Sequence, residues 1–276
     1  MSGHPHPLLG SDLHTHTDFS DGHDPLDRVV AAAEAAGLHT LVVTDHVRAD
    51  TSYLPEYVAA VRAARNHTRV RLVCGVEAKI MDTEGRIDLP DDLTGIDHIA
   101  IADHRFPLPE GPAHPGEVRE RIEAGTLTPA EALDHLLTAT TRAVARVPAG
   151  RTAHLAHLFS VLPKAGLDES ALDESALDES ALDESALNER ALDGSALNER
   201  ALDATHLAPL ARACRQHNVA VELNEKWRCP TPRTAALLAR AGVRLAAGSD
   251  AHRADAVGVF PWVAQALTET EGRCTT

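Results

Sequence analysis

Asp12-Leu13-His14-Thr15-His16-Thr17-Asp18-Phe19-Ser20-Asp21-Gly22 sets two histidines one residue apart at the end of a short apolar run. Its counterpart lies near the other end of the chain, Leu245-Ala246-Ala247-Gly248-Ser249-Asp250-Ala251-His252. In an extended strand residues i and i+2 face the same side, so His14 and His16 converge on one point, as do Asp250 and His252. A His-x-His and an Asp-x-His at the C-terminal ends of strands suit a barrel that holds metal ions at its mouth.

With 17 histidines in 276 residues, chance clusters are expected, and a lone His-x-His carries little weight. Recurrence supplies the weight. The apolar run 40–44 leads into Asp45-His46, 70–76 into Glu77, 96–102 into Asp103-His104, and 152–156 into His157. Each ligand-type residue falls just past an apolar stretch, where the βα loops of a barrel gather. Between these runs the pattern predicts helices over 26–36, closed by Gly37, and over 54–66, 129–146 and 207–217. A strand over 219–224, a helix over 231–241 closed by Gly242, and a last barrel strand over 243–247 follow. Residues 106–115, rich in proline and glycine, read either as a loop overhanging the site or as a plain surface connection.

The order His-x-His-Thr-x-x-Ser-Asp-Gly, Thr-Asp-His, Gly-x-Glu, two strand-end histidines and Gly-Ser-Asp-Ala-His resembles the PHP superfamily, named for polymerase and histidinol phosphatase domains. The resemblance runs from Asp12 to His252 apart from one insert; its first and last motifs are the specific ones. It implies an α/β fold, a distorted TIM-like (β/α)7 barrel, with two or three divalent metal ions at the strand C-termini and hydrolysis of a phosphoester by a metal-bound hydroxide. Residue by residue, it gives one ion to His14, His16 and Asp250. Glu77 bridges to a second, held also by His104 and His157, and Asp21, His46 and His252 hold a third. His157 is preferred to His154 because the family's ligand follows an apolar pair, here Leu155-Ala156, and Asp21 is preferred to His23 because of the Ser20-Asp21-Gly22 form.

The residue types suit that chemistry. Imidazole and carboxylate favour zinc, manganese or iron, and a set without cysteine argues against a structural thiolate site. A bridging carboxylate lets two ions sit roughly 3.5–4 Å apart, and coordination lowers the pKa of water from about 15.7 toward about 7. Arg48, Arg105, Lys226 and Arg253 lie beside expected ligands or strand ends and are candidates for binding phosphate. Asp45 is a candidate catalytic residue that orients a ligand or accepts a proton, or else a cap for the next helix. Glu222 and Asn224 share one face of their strand and are expected to line the same mouth.

From Leu167 to Asp203 the chain repeats a five-residue unit that begins Leu-Asp-Glu-Ser-Ala. On a helix five residues advance about 500°, so successive leucines stand roughly 140° apart and form no stripe. A pentapeptide solenoid would need alanine two positions before leucine, whereas here it immediately precedes it. The tract therefore reads as a low-complexity pentameric-repeat insert, at about 167–203, in a single barrel domain spanning 1–276. Its twelve acidic residues against Arg190 and Arg200 carry −10 of the chain's −15, so the acidity says little about substrate.

That balance argues against a broad nucleic-acid surface, and two tryptophans, two tyrosines and four phenylalanines offer no stacking platform for single strands. No run approaches a membrane span, residues 1–10 lack a signal-peptide pattern, and the four cysteines have no paired spacing, so a cytoplasmic location is expected. The expected activity is phosphomonoester hydrolysis of a small phosphorylated metabolite resembling histidinol phosphate. The alternatives are a nucleotide or oligonucleotide phosphodiesterase and a non-catalytic binding barrel, which the filled ligand positions disfavour. Homo-oligomerisation is left open.

Overall fold

The computed structural model describes residues 6–167 and 204–274; the repeat insert expected at about 167–203 therefore lies, but for its first residue, outside the described residues. The chain begins with β1 (Ser11–Thr15), α1 (Leu26–Ala35), β2 (Thr40–Val43), α2 (Leu54–Ala64), β3 (Arg71–Lys79) and β4 (His98–Ala102). A hairpin of β5 (Phe106–Leu108) and β6 (Gly111–Ala113) follows, then α3 (Pro115–Glu123), α4 (Pro129–Ala145) and β7 (Thr152–Ala156). After the insert come α5 (Ala204–His217), β8 (Ala220–Asn224), α6 (Pro232–Arg240), β9 (Leu245–Gly248) and α7 (Pro261–Cys274).

Seven strands pair in parallel in the order β1-β2-β3-β4-β7-β8-β9. The ends of this sheet meet: Asp250 N–H donates to the His14 carbonyl at 2.9 Å and His16 N–H to the Ala251 carbonyl at 2.8 Å. The result is a nearly closed (β/α)7 barrel of TIM-like type, and the seam closes where His14-Thr15-His16 meets Asp250-Ala251-His252.

The strands divide their residues by parity, as a period of two requires. Ile99, Ile101, Leu155, Val221, Leu223 and Ala247 join one large apolar core with the helices. Their neighbours Ala100, Ala102 and Ala156 form a separate small cluster, and His14, Glu222 and Asn224 are buried but polar. The barrel is thus packed by aliphatic side chains outside and filled by small or polar ones inside.

Two expectations need correction. Glu77 does not follow its strand; β3 runs on to Lys79, and Glu77 pairs in register with Ala100. Residues 106–115 are no loop over the site. Phe106 and Leu108 are buried in the core, and Pro115 begins α3, whose start is capped by the His114 ring accepting from Gly116 N–H. The Pro and Gly residues there shape a tight hairpin. The helices α3 and α7 carry no clear sequence signal; α3 is too charged (Glu117, Arg119, Glu120, Arg121, Glu123) to show an apolar stripe.

Candidate metal centre

The C-terminal ends of the barrel strands bring together all nine residues named from the sequence as ligands. Glu77 is the hub. Its Oε1 lies 2.9 Å from His104 Nε2 and 2.8 Å from His157 Nε2, and its Oε2 lies 2.9, 3.3 and 3.4 Å from His46 Nδ1, His14 Nε2 and His16 Nε2. His16 Nε2 is also 3.5 Å from Asp250 Oδ1. Toward solvent, Asp21 Oδ2 stands 3.4 Å from His46 Nε2 and 3.2 Å from His252 Nε2. His23 is exposed and belongs to no such group.

Five groups of candidate donors overlap here: His14 with His16 and Asp250; His14 with Glu77 and His157; His46 with Glu77 and His104; His16 with Asp21, His46 and His252; and, beneath these, His14 with His154 and Glu222. Two buried atoms among those nine residues, Glu77 Oε2 and His16 Nδ1, have no aligned hydrogen-bond partner. His14 Nε2 and His16 Nε2 face each other at 3.1 Å. A buried carboxylate oxygen ringed by imidazole nitrogens that do not point protons at it is costly as it stands and is what a cation would relieve. The donor set therefore fits divalent metal ions.

Burial opposes charge on Glu77 and Asp250, yet the surrounding imidazoles hold both well below the usual carboxylate range. Burial likewise opposes protonation of His157, but its contacts with Asp103 and Glu77 raise it to about 10, while the charges of Glu222, Glu77 and Asp250 raise His14. His16, where burial dominates, falls to about 4.

Buried carboxylates set the ligand loops. Asp45 accepts from Thr17 N–H at 2.9 Å, Thr17 Oγ1 at 2.8 Å and Ser20 Oγ at 2.6 Å, so both oxygens are spent on the turn that carries Asp21. It does not line the cleft, and burial raises it to about 6. Asp103 faces His157 Nδ1 at 3.1 Å and accepts from Phe159 N–H at 2.7 Å. His157 (φ +32°) and Asp250 (φ +53°) lie in the sparsely populated left-handed half of backbone space, a strain of order 1–3 kcal/mol each. His154 is no part of the cleft. It lies inside the barrel, stacked on His98 with Nδ1 2.7 Å from His98 Nε2.

Above the cluster opens a cleft of about 840 Å³, in the range of small-molecule sites. Arg48, Arg105 and Lys226 line it as expected; Arg253 does not, its Nε lying 3.6 Å from Asp255. Sequence reading missed Lys164 and Trp227, which also line it, the ammonium sitting 3.7 Å above the indole centroid. Neither follows a ligand motif, so spacing gave no signal. Glu222, expected at the mouth, is fully buried beneath the cluster.

A parallel barrel with a histidine and carboxylate cluster at its strand C-termini defines a class of metal-binding (β/α) proteins. The chain belongs to the PHP domain family, whose profile matches residues 12–226. It is 33% identical over 110 residues to a probable phosphatase of Caldicellulosiruptor bescii, a match covering 38% of this chain and 45% of that relative, so the chain spans under half the length of that protein. Its fold is similar to the histidinol phosphate phosphatase of Lactococcus lactis subsp. lactis, solved with zinc, L-histidinol and phosphate. The TM-score is 0.52 at 16% identity, over 96% of this chain and 92% of the other. All four cysteines are free, and no helix of the described residues is long and apolar enough to cross a membrane.

Proposed function

We propose that this chain is a metal-dependent phosphoesterase, acting as a phosphomonoesterase on a small phosphorylated metabolite of the histidinol phosphate type. One observation carries the reading: nine imidazole and carboxylate side chains converge on the floor of a cleft whose walls bear Arg48, Arg105, Lys164 and Lys226. His14, His16 and Asp250, then Glu77, His104 and His157, then Asp21, His46 and His252 would hold up to three ions, zinc, manganese or iron. Bound, such ions supply Lewis acidity toward phosphoryl oxygens and lower the pKa of water.

The chain's own groups bind and orient. The cations of the walls offer charge-assisted hydrogen bonds to phosphoryl oxygens, the arginines in bidentate form. Among the described residues Arg48, Arg105 and Lys164 make no ion pair, so they are free to meet an anion; Lys226 is shared with Asp250 at 3.2 Å. Trp227, 40% exposed at the rim, suits an aromatic leaving group. The probable phosphatase relative and the phosphate-bound structural neighbour support the reaction class.

A screen of phosphorylated metabolites with purified, metal-analysed protein tests the proposal. Phosphate release from one or more monoesters, abolished by chelation, supports it. A second reading, phosphodiester hydrolysis of nucleotides, draws on the indole at the rim, and a preference for diesters over monoesters in the same screen would replace the first.

A further inference from the structure

We infer that Glu222 is a positioning residue that fixes the ring of His14 and the main chain of His157 at once, so that two ligand sets form as one unit. The inference rests on the proposed metal centre but concerns a side chain outside the cleft. Glu222 sits on β8 inside the barrel, fully buried. Its Oε1 lies 3.0 Å from His14 Nδ1, and its Oε2 accepts from His157 N–H at 2.6 Å and from Asn224 Nδ2 at 3.1 Å. One carboxylate thus gathers donors from β1, from the end of β7 and from β8.

Each contact constrains a ligand. A neutral imidazole carries one proton, and a carboxylate at Nδ1 draws it there, leaving the Nε2 lone pair aimed at Glu77 and His16. His157 needs its unusual backbone held, and the bond from its N–H to Glu222 does that from below while Asp103 fixes its ring. The neighbouring strand makes room: a Cβ at Gly248 would overlap the Glu222 carboxylate and approach His14 Cβ to 2.8 Å. Gly248 is two residues from Asp250, so the site's last motif also shelters this carboxylate.

Glu222→Gln is close to isosteric, but an amide turned toward His14 donates to Nδ1 and drives the ring proton onto Nε2, closing the atom that faces Glu77. The test is zinc titration of the full chain against a chromophoric chelator, with melting of the metal-free protein alongside. The expected result for Glu222→Gln is a loss of zinc affinity of about 10–100-fold with the melting point little changed. Gly248→Ala, whose Cβ would displace the Glu222 carboxylate and press on His14 Cβ, should weaken zinc as well. In the unmodified zinc-loaded chain, long-range ¹H–¹⁵N spectra should show the His14 proton on Nδ1. Wild-type zinc affinity in Glu222→Gln, or a His14 proton on Nε2, overturns the inference and leaves the metal centre standing. Failure of the unmodified chain to bind zinc overturns the metal centre, and the inference with it.

Discussion

The two faces of the barrel strands follow opposite rules. On β4, Ile99 and Ile101 face the helices and are packed by aliphatic side chains, whereas His98, Ala100 and Ala102 face the interior. On β8 the same alternation sets Val221 and Leu223 outside and Glu222 and Asn224 inside. The outer face stabilises by burial, which is non-directional and sums over many side chains. The inner face holds charge in fixed geometry and pays desolvation for it. Stability and function are thereby separated by a single residue step along each strand, and substitutions on the two faces should fail in different ways.

The sharpest break is expected at the interior. His14→Ala or Asp250→Ala should lower bound metal and reduce kcat/KM on the order of a thousandfold or more, with circular dichroism and melting close to wild type. Full activity of metal-depleted protein would refute the assignment. The two neighbouring histidines sharpen the comparison: His157→Ala should lose activity by orders of magnitude, and His154→Ala, which removes a ring outside the cleft, should change it modestly. The reverse ranking in steady-state assays would move the ligand to His154.

On the outer face the pattern inverts. Ile101→Ala should destabilise by about 2–5 kcal/mol through lost burial and a residual cavity, read as a shifted denaturant midpoint, while kcat of the folded fraction is retained. A fall in kcat without loss of stability would show that the faces are not independent.

Protonation probes the inner face more gently. His14, His46 and His157 are raised above the usual histidine value, so a metal ion must displace their protons. Zinc binding should therefore release protons and tighten with pH, by up to about tenfold per pH unit for each proton displaced, as calorimetry in buffers of different ionisation enthalpy would show. Metal-free, the proton on His157 stabilises the fold fully below its unfolded value near 6.5, and that contribution is lost as the pH rises through about 10.

The smallest effect is expected from the repeat. Leucines that circle a helix form no buried stripe, and the charge favours solvation. Deleting residues 172–201 in whole five-residue units, joining Ala171 to Leu202, should leave melting and kcat/KM nearly unchanged. A lost oligomer, or a large fall in kcat/KM at constant melting point, would assign the tract a contact or lid role.

Much of this was legible in the chain because period and punctuation are local. Short apolar runs marked the barrel strands, and ligand types at their ends marked the cluster. The correct boundary of β3 was not legible, because Val76, Glu77 and Ala78 look alike whether the strand stops or continues; pairing with β4 keeps it going past Glu77. Arg253 could be placed near the site by sequence distance, but only the turn after β9 points it to Asp255 instead.

By itself, then, the sequence determined the repeating strand and helix pattern, the His-x-His and Asp-x-His motifs and the donor types, all of which depend on neighbours within a few residues. The tertiary structure decided which donors share a point, that Asp45 and Glu222 are buried against the cluster instead of lining the cleft, and that Lys164 and Trp227 reach its rim. The meeting of His14 and His16 with Asp250 depends on closing the seam between β1 and β9, which brings residues more than two hundred positions apart within hydrogen-bonding distance, and no local periodicity encodes that closure.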